Sequence, residues 1–174
     1  MRRKRSEEKG FTLIEVIVTL ILVGITAALA GMWIVHVASG YVFAIQNANT
    51  VQKGQLAITR IAKELNAIQS IASSSDTSIV FNRADNTGNP AGIAVTISKN
   101  GNTLQLNGNT LTDNVSTTAP EPFLNYCDDN LTSPICSSSW STTPNARIII
   151  VTFTLTGASD TPSKFTIRAK PRNI

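Results

Sequence analysis

Residues 9–35 read KGFTLIEVIVTLILVGITAALAGMWIV, an apolar run that a single acidic residue, Glu15, interrupts. From residue 16 to residue 52 the chain contains no Asp, Glu, Lys or Arg. About 20 consecutive apolar residues are enough for a helix to span the hydrocarbon core of a bilayer. The sequence therefore predicts a transmembrane helix over residues 11–35.

A basic segment, MRRKRSEEKG at residues 1–10, precedes the apolar run. Basic flanks stay on the cytoplasmic side of a membrane, so the rest of the chain is expected on the other side. Two ordinary interpretations fit this composition. One is an uncleaved signal-anchor, and the other is a secretory signal that is cut after the small-x-small residues 28–30, Ala-Leu-Ala.

Glu15 fits neither of these interpretations well, because a carboxylate at membrane depth costs roughly 2.5–3.5 kcal/mol even on lenient insertion scales. Such an acid is expected to have a partner. Cleavage before Phe11 would create an α-amine four residues from Glu15, which is about one helical turn. This amine could neutralise Glu15 of its own chain or of a neighbouring chain.

The stretch KGFTLIE at residues 9–15, followed by the uncharged residues 16–29, resembles the type IV prepilin leader motif. The resemblance implies that a prepilin peptidase of the inner membrane cleaves between Gly10 and Phe11 and methylates the new amine of Phe11. It also implies that the apolar helix stays on the mature chain. Glu15 would then help to register the incoming subunit against a neighbour's amine.

The helix is expected to continue beyond the membrane, because no proline occurs before Pro90. Apolar residues recur at three- and four-residue spacing, with polar residues such as Arg60, Lys63 and Glu64 between them: Ile58, Ile61, Leu65, Ile68 and Ala72. This pattern is typical of an amphipathic helix with one face for a core. An amphipathic segment is predicted over residues 36–76, in which the helix ends after Ala72 at the serine run.

From residue 77 onward the periodicity changes to the alternation of β-strands. Strands are predicted at 78–82, 93–99, 103–107, 110–115, 147–156 and 164–170. Asn100-Gly101 and Gly108-Asn109 are expected to join three of them as an antiparallel meander, since Asn-Gly favours type I′ turns with positive φ at both central residues. An apolar sheet face needs a cover. The predicted fold is therefore α+β and pilin-like: a long N-terminal helix, first transmembrane and then amphipathic, packed on an antiparallel β-sheet head at residues 77–174.

Both cysteines, Cys127 and Cys136, lie in a stretch at residues 117–145 that is rich in Ser, Thr, Pro and Asn. This stretch is predicted to be a long loop within the head. If the head is exported, the two cysteines are expected to form a disulfide. Closing this loop would contribute roughly 2–3 kcal/mol.

Charge and composition argue against several classes of function. The formal net charge is +4, but five basic and two acidic residues in the first ten account for most of it. No basic patch remains, so a nucleic-acid partner is not expected. The single histidine, His36, adjoins the apolar run, and the sequence has no cluster of metal-ligating residues and no phosphate-binding loop. Neither enzymatic activity, nor a cofactor, nor a bound metal is expected.

Four segments of the head resemble those of minor pilins and minor pseudopilins: residues 111–115, 123–126, the strand at 148–155 and the ending at 170–173. The predicted function is a structural minor subunit of a type IV pilus or type II secretion pseudopilus, in filament initiation or at the tip. Its expected partners are the prepilin peptidase, other pilin or pseudopilin subunits and the inner membrane, with the head in the periplasm before assembly. The alternative is a membrane-anchored periplasmic binding module, an adhesin or a cargo receptor, that does not form filaments.

Overall fold

The computed structural model describes residues 10–83, 92–118, 120–130, 133–143 and 145–171. In this part of the chain one α-helix, α1 (Leu13–Asn66), precedes nine β-strands that pair in antiparallel fashion. The predicted α+β class is confirmed. The chain divides into two compact units, Met1–Ala44 and Ile45–Ile174.

In the first unit, α1 begins with a cap at Thr12. The carbonyl oxygen of Thr12 accepts hydrogen bonds from the backbone amides of Glu15 and Val16 at 3.1 and 3.2 Å. The hydroxyls of Thr19 and Ser39 donate to backbone carbonyls in the preceding turn, at 2.9 and 2.7 Å. Because these hydroxyls are satisfied within the helix, they add little polarity to its apolar surface.

The helix ends earlier than predicted. It stops at Asn66, not after Ala72, and residues Ile68–Ser74 form strand β1. The spacing of the apolar residues did not distinguish the two states, because Ile68 is buried in the strand as it would have been in a helix. Pairing with a following strand decided the outcome, and serine is a poor helix former because it competes for backbone hydrogen bonds.

A five-stranded sheet follows the helix, with the strands in chain order: β1, β2 (Ser78–Arg83), β3 (Ile93–Asn100), β4 (Thr103–Leu106) and β5 (Asn109–Thr112). The predicted meander is confirmed, and β1 and β2 extend it. The turn between β4 and β5 has positive φ at both central residues, as a type I′ turn requires, but these are Asn107 and Gly108 and not the predicted Gly108 and Asn109. In the turn between β3 and β4 only Gly101 has positive φ, which fits a type II′ turn and corrects the type I′ prediction there.

A second sheet contains four strands in the order β7-β6-β8-β9: β6 (Leu124–Cys127), β7 (Cys136–Ser137), β8 (Ile148–Thr156) and β9 (Pro162–Ala169). The predicted pairing of β8 with β9 is confirmed. The prediction of a loop throughout residues 117–145 was wrong, because β6 and β7 lie in it. β6 was missed because it is only four residues long and, unlike the equally short β4 and β5, has no Asn-Gly or Gly-Asn turn beside it. Its buried Leu124 and Tyr126 alternate with the half-buried Asn125, which was the available signal.

The core of the second unit lies between α1 and the strands. The helix contributes Ala57, Ile61 and Leu65, all buried. The strands contribute residues from both sheets: Ile79, Phe81, Val95, Ile97, Leu104, Leu124, Tyr126, Ile149, Val151, Phe153, Leu155 and Phe165. The last turns of α1 therefore have the apolar, core-facing side that the sequence predicts.

Candidate functional site

The predicted cleavage site lies at the start of the described chain. Gly10 and Phe11 precede α1, and the Phe11 side chain is 79% exposed. A Cβ atom placed on Gly10 would meet no atom of the described residues within 4 Å. The Gly10–Phe11 peptide bond is therefore open to a second protein. The remainder of the predicted leader, residues 1–9, lies outside the described residues.

Glu15 lies in the first turn of α1 and is exposed. A carboxylate there interacts favourably with the N-terminal end of the helix dipole, by about 0.3–1 kcal/mol at an exposed site. Within the described residues, no ion pair involves Glu15. In the uncut chain the nitrogen of Phe11 is an uncharged amide, so the proposed amine partner of Glu15 exists only after cleavage.

The apolar part of α1 leaves its side chains exposed. Within this helix the most apolar stretch has a mean hydropathy of 2.5, and none of that stretch is buried. By length and composition α1 is able to cross a membrane. Leu13, Leu20 and Val23 are each more than 60% exposed, which is unusual for large apolar side chains in water. Lipid or other protein must cover this surface.

Residues 5–31 match the model of a protein family described as the prokaryotic N-terminal methylation motif. This match covers the N-terminal segment alone, and it supports a type IV prepilin-like protein. The motif implies processing by a prepilin peptidase and assembly with other pilins, and together with the apolar helix it indicates membrane anchoring. No curated protein and no solved structure matches the chain significantly.

The two cysteines of this prepilin-like chain form the predicted disulfide. Cys127 and Cys136 are directly paired residues of β6 and β7, with Cα atoms 4.1 Å apart. Asp128 forms two further hydrogen bonds across the base of the same loop. Its backbone amide donates to the carbonyl of Ile135, and its carboxylate accepts from the amide of Ile135, both at 3.0 Å. The base of the loop is thus held by one covalent bond and two hydrogen bonds.

The segment after the disulfide is tied to both sheets through two aromatic residues. Tyr126 and Trp140 pack edge to face with ring centroids 6.2 Å apart. The Trp140 amide donates to Oγ of Ser74 in β1 at 2.8 Å, and the Tyr126 hydroxyl donates to the Ser75 carbonyl at 3.1 Å. Burial raises the pKa of Tyr126 well above its ordinary value, because the phenolate would be desolvated. The hydroxyl therefore remains a donor.

One charged cluster was missed by sequence reasoning. Glu64 was expected on the polar side of the amphipathic helix, yet its side chain is only 2% exposed. It accepts from Arg60 at 2.9 Å and from Arg83 of β2 at 3.1 Å. Arg60 is one helical turn away, but Arg83 is 19 residues further along the chain. The sequence has no signal for the second contact, which depends on the position of the sheet.

The residues that the structure describes contain no group of three His, Cys, Asp or Glu side chains that could hold a metal ion. His36 lies on the exposed part of α1, near Trp33 and Tyr41. Asp128 and Asp129 lie next to each other in the disulfide loop, where Asp128 bonds to backbone amides and Asp129 pairs with Lys170. Both acids therefore have protein partners.

Proposed function

We propose that the chain is a structural filament subunit, of the type IV pilus or type II secretion pseudopilus class, that matures by cleavage between Gly10 and Phe11 and methylation of Phe11. One observation carries this proposal. An open Gly10–Phe11 bond lies four residues before Glu15, at the start of a helix whose apolar side chains are exposed.

Assembly is proposed to use this helix and the charge pair that cleavage makes possible. A second apolar helix can cover the exposed side chains of α1, as lipid does before assembly. The new amine of Phe11 on one subunit then neutralises Glu15 of its neighbour. Because both charges are costly in apolar surroundings, the pair favours the register in which they meet.

The proposed division of the chain is a cleaved leader at 1–10, a membrane helix at 11–35, a helical segment that ends at Asn66, and a head. The head is proposed to reside in the periplasm before assembly. The Cys127–Cys136 disulfide supports this location, since disulfides persist in oxidising compartments. The strand pattern of the head supports a minor subunit that acts in initiation or at the tip. In this role the chain is the substrate of an enzyme and has no reaction of its own.

The test is the intact mass and N-terminal peptide of the protein purified from membranes of cells that contain a prepilin peptidase. The expected first residue is an N-methylated Phe11. A mature chain that begins at Gly31 would support ordinary signal cleavage. A chain that retains its basic leader would contradict the proposal.

The substitution Gly10→Leu is the matching variant, and it should leave the precursor uncut. A Cβ atom at this position meets no atom of the described residues within 4 Å, so we expect the fold to be unaffected and only the approach of the peptidase to be obstructed. Gly31→Leu is the control, because Gly31 is equally open but lies beyond the cleavage site. This control should be processed normally. The same mass measurement is made on the wild type, on Gly10→Leu and on Gly31→Leu.

The alternative, a membrane-anchored adhesin or cargo receptor, shares the anchor and differs in assembly. Incorporation into sheared filaments separates the two, since a plain anchored module remains entirely in the membrane fraction.

A further inference from the structure

Two large aromatic side chains lie on one face of the exposed helix. Trp33 and Tyr41 are eight residues apart, with Val37 between them, and side chains at this spacing follow one face of a helix. They are 72% and 67% exposed. With Ile34 and Ala38 they line an open apolar notch of about 440 Å³.

The position of this notch along α1 matches one boundary of a bilayer. Trp33 follows Leu13, the first residue of α1, by 20 residues, which is about 30 Å of helix. The hydrocarbon core of a bilayer is also about 30 Å thick. Tyr41 lies about 12 Å further along, at the depth of the headgroups. Trp33 is therefore expected where the hydrocarbon core ends.

Beyond Glu15, polar side chains other than hydroxyls first occur after this point, while exposed apolar side chains continue at least as far as Ile45. Between Glu15 and Trp33 the polar side chains are hydroxyls, and those of Thr19 and Thr26 bond to the helix backbone. After Trp33 come His36 and Ser39, the first of several polar residues. Trp and Tyr combine an apolar ring with a polar tip, so they are most stable where hydrocarbon meets water.

We infer that this notch is a lipid-facing anchor at the outer boundary of the membrane, occupied by lipid at the junction of acyl chain and headgroup, and that it sets the depth of α1. The inference rests on the membrane anchoring in the proposed function and deepens it. Glu15 lies 18 residues before Trp33, about 27 Å along the helix. The notch thus holds Glu15 near the cytoplasmic boundary, with the Gly10–Phe11 bond beyond it at the cytoplasmic surface.

A lipid occupant explains the two polar tips better than a second helix does. Packed helices in membranes favour small residues at their contacts, which let the backbones approach. Trp33 and Tyr41 would instead hold a second backbone away, and the indole N–H and phenol O–H would lose access to water and headgroups. Lipid at the boundary satisfies both the rings and their tips.

The experiment uses the full chain in phosphatidylcholine vesicles. The protein has two tryptophans, so Trp140→Phe leaves Trp33 as the one indole reporter. Vesicles carry bromine either on acyl carbons close to the headgroup or near the bilayer centre. Shallow bromine should quench Trp33 emission about twofold or more over deep bromine, as expected of an interfacial indole. If Trp140→Phe disturbs the fold, the quenching of Trp33 is obtained instead as the difference in quenched emission between the wild type and Trp33→Phe.

Tyr41→Leu should move Trp33 toward deeper bromine, because the polar tip nearest the headgroups is lost. Phe43→Leu is the control, since Phe43 carries no polar tip, and it should leave the depth unchanged.

Three results would overturn the inference: stronger quenching by deep bromine, quenching by aqueous iodide without quenching by lipid, and lipid quenching that disappears as the protein-to-lipid ratio rises. The last result would identify a second helix as the occupant. Depth is read on uncut chain, so failure here is independent of the N-terminal mass that tests the proposed function.

Discussion

At the scale of single residues, the proposed function makes Glu15 the side chain whose removal should separate processing from assembly. Its amide is part of the first turn of α1, but its carboxylate has no ion pair within the described residues. Glu15→Ala should therefore fold and be cleaved normally. It should lower filament incorporation about tenfold or more, because the neighbour's amine is left uncompensated in apolar surroundings at a cost of roughly 2.5–3.5 kcal/mol.

The measurement is the ratio of sheared filament to membrane-bound subunit, with the N-terminal mass as the check on processing. Thr19→Ala is a matched control on the same helix. The Thr19 hydroxyl bonds to the carbonyl of Val16 at 2.9 Å, so its loss should leave assembly unchanged. Normal incorporation of Glu15→Ala would refute the charge pairing.

The residues proposed to act in processing and assembly could be named from the sequence because they lie close together in it. Gly10, Phe11 and Glu15 lie within six residues, and their relation does not depend on tertiary structure. Glu64 is the opposite case. Its burial depends on Arg83, which reaches it only after β2 has taken its place in the sheet. Local pattern predicts an exposed position there, since charged residues are rarely buried without a partner.

At the scale of elements, the contact between α1 and β9 depends on a glycine. A Cβ atom at Gly54 would lie 2.2 Å from Cζ of Phe165, so the helix backbone rests directly on that ring. Phe165 in turn stacks on Phe153 at 5.3 Å between centroids, which leaves the ring little freedom to move. The absence of a side chain at Gly54 is what allows the helix to lie this close to the strand.

Overpacking a core costs about 1–3 kcal/mol, and the 2.2 Å approach to a stacked ring puts Gly54→Ala toward the upper end of that range. After the gain of up to about 1 kcal/mol that alanine brings to a helix interior, the second unit should be destabilised by about 1–2 kcal/mol. Urea unfolding of the full chain in detergent, followed by emission of Trp140 in a Trp33→Phe background, measures the change. Gly40→Ala is the control, since Gly40 is open and its substitution should leave the Trp140 transition in place. An unchanged midpoint for Gly54→Ala would show that the helix does not rest on the ring.

The elements that sequence predicted correctly have either many repeats of one period or strong turn residues beside them. β8 and β9 are long and alternate clearly, and the meander has strong turn residues such as Asn107 and Gly108. The segments that were predicted wrongly are short. They are the end of α1 and the strands β6 and β7. For such segments the partner strand determines the structure, and the partner is distant in sequence. The partition of the strands into two sheets follows from these distant pairings, so it was not predictable.

At the scale of the whole molecule, the chain combines an apolar helix suited to lipid with a second unit whose disulfide requires oxidising conditions. These two requirements are met together when the basic flank stays in the cytoplasm and the second unit is exported. The disulfide is therefore a reporter of topology. It closes a short loop, so its presence affects local stability without being needed to bring the two sheets together.

Alkylation of intact cells tests this topology. In the exported protein, Cys127 and Cys136 should both resist a thiol reagent until a reductant is added, because each is the partner of the other. The measurement is the mass of the protein from cells quenched with the reagent, with and without prior reduction. Cys127→Ser is the matched control, since it leaves Cys136 as a free thiol that should take up one equivalent. Modification of both cysteines in unreduced wild-type cells would place the second unit in the cytoplasm, and the periplasmic arrangement would then have to be abandoned, whatever the outcome at Glu15.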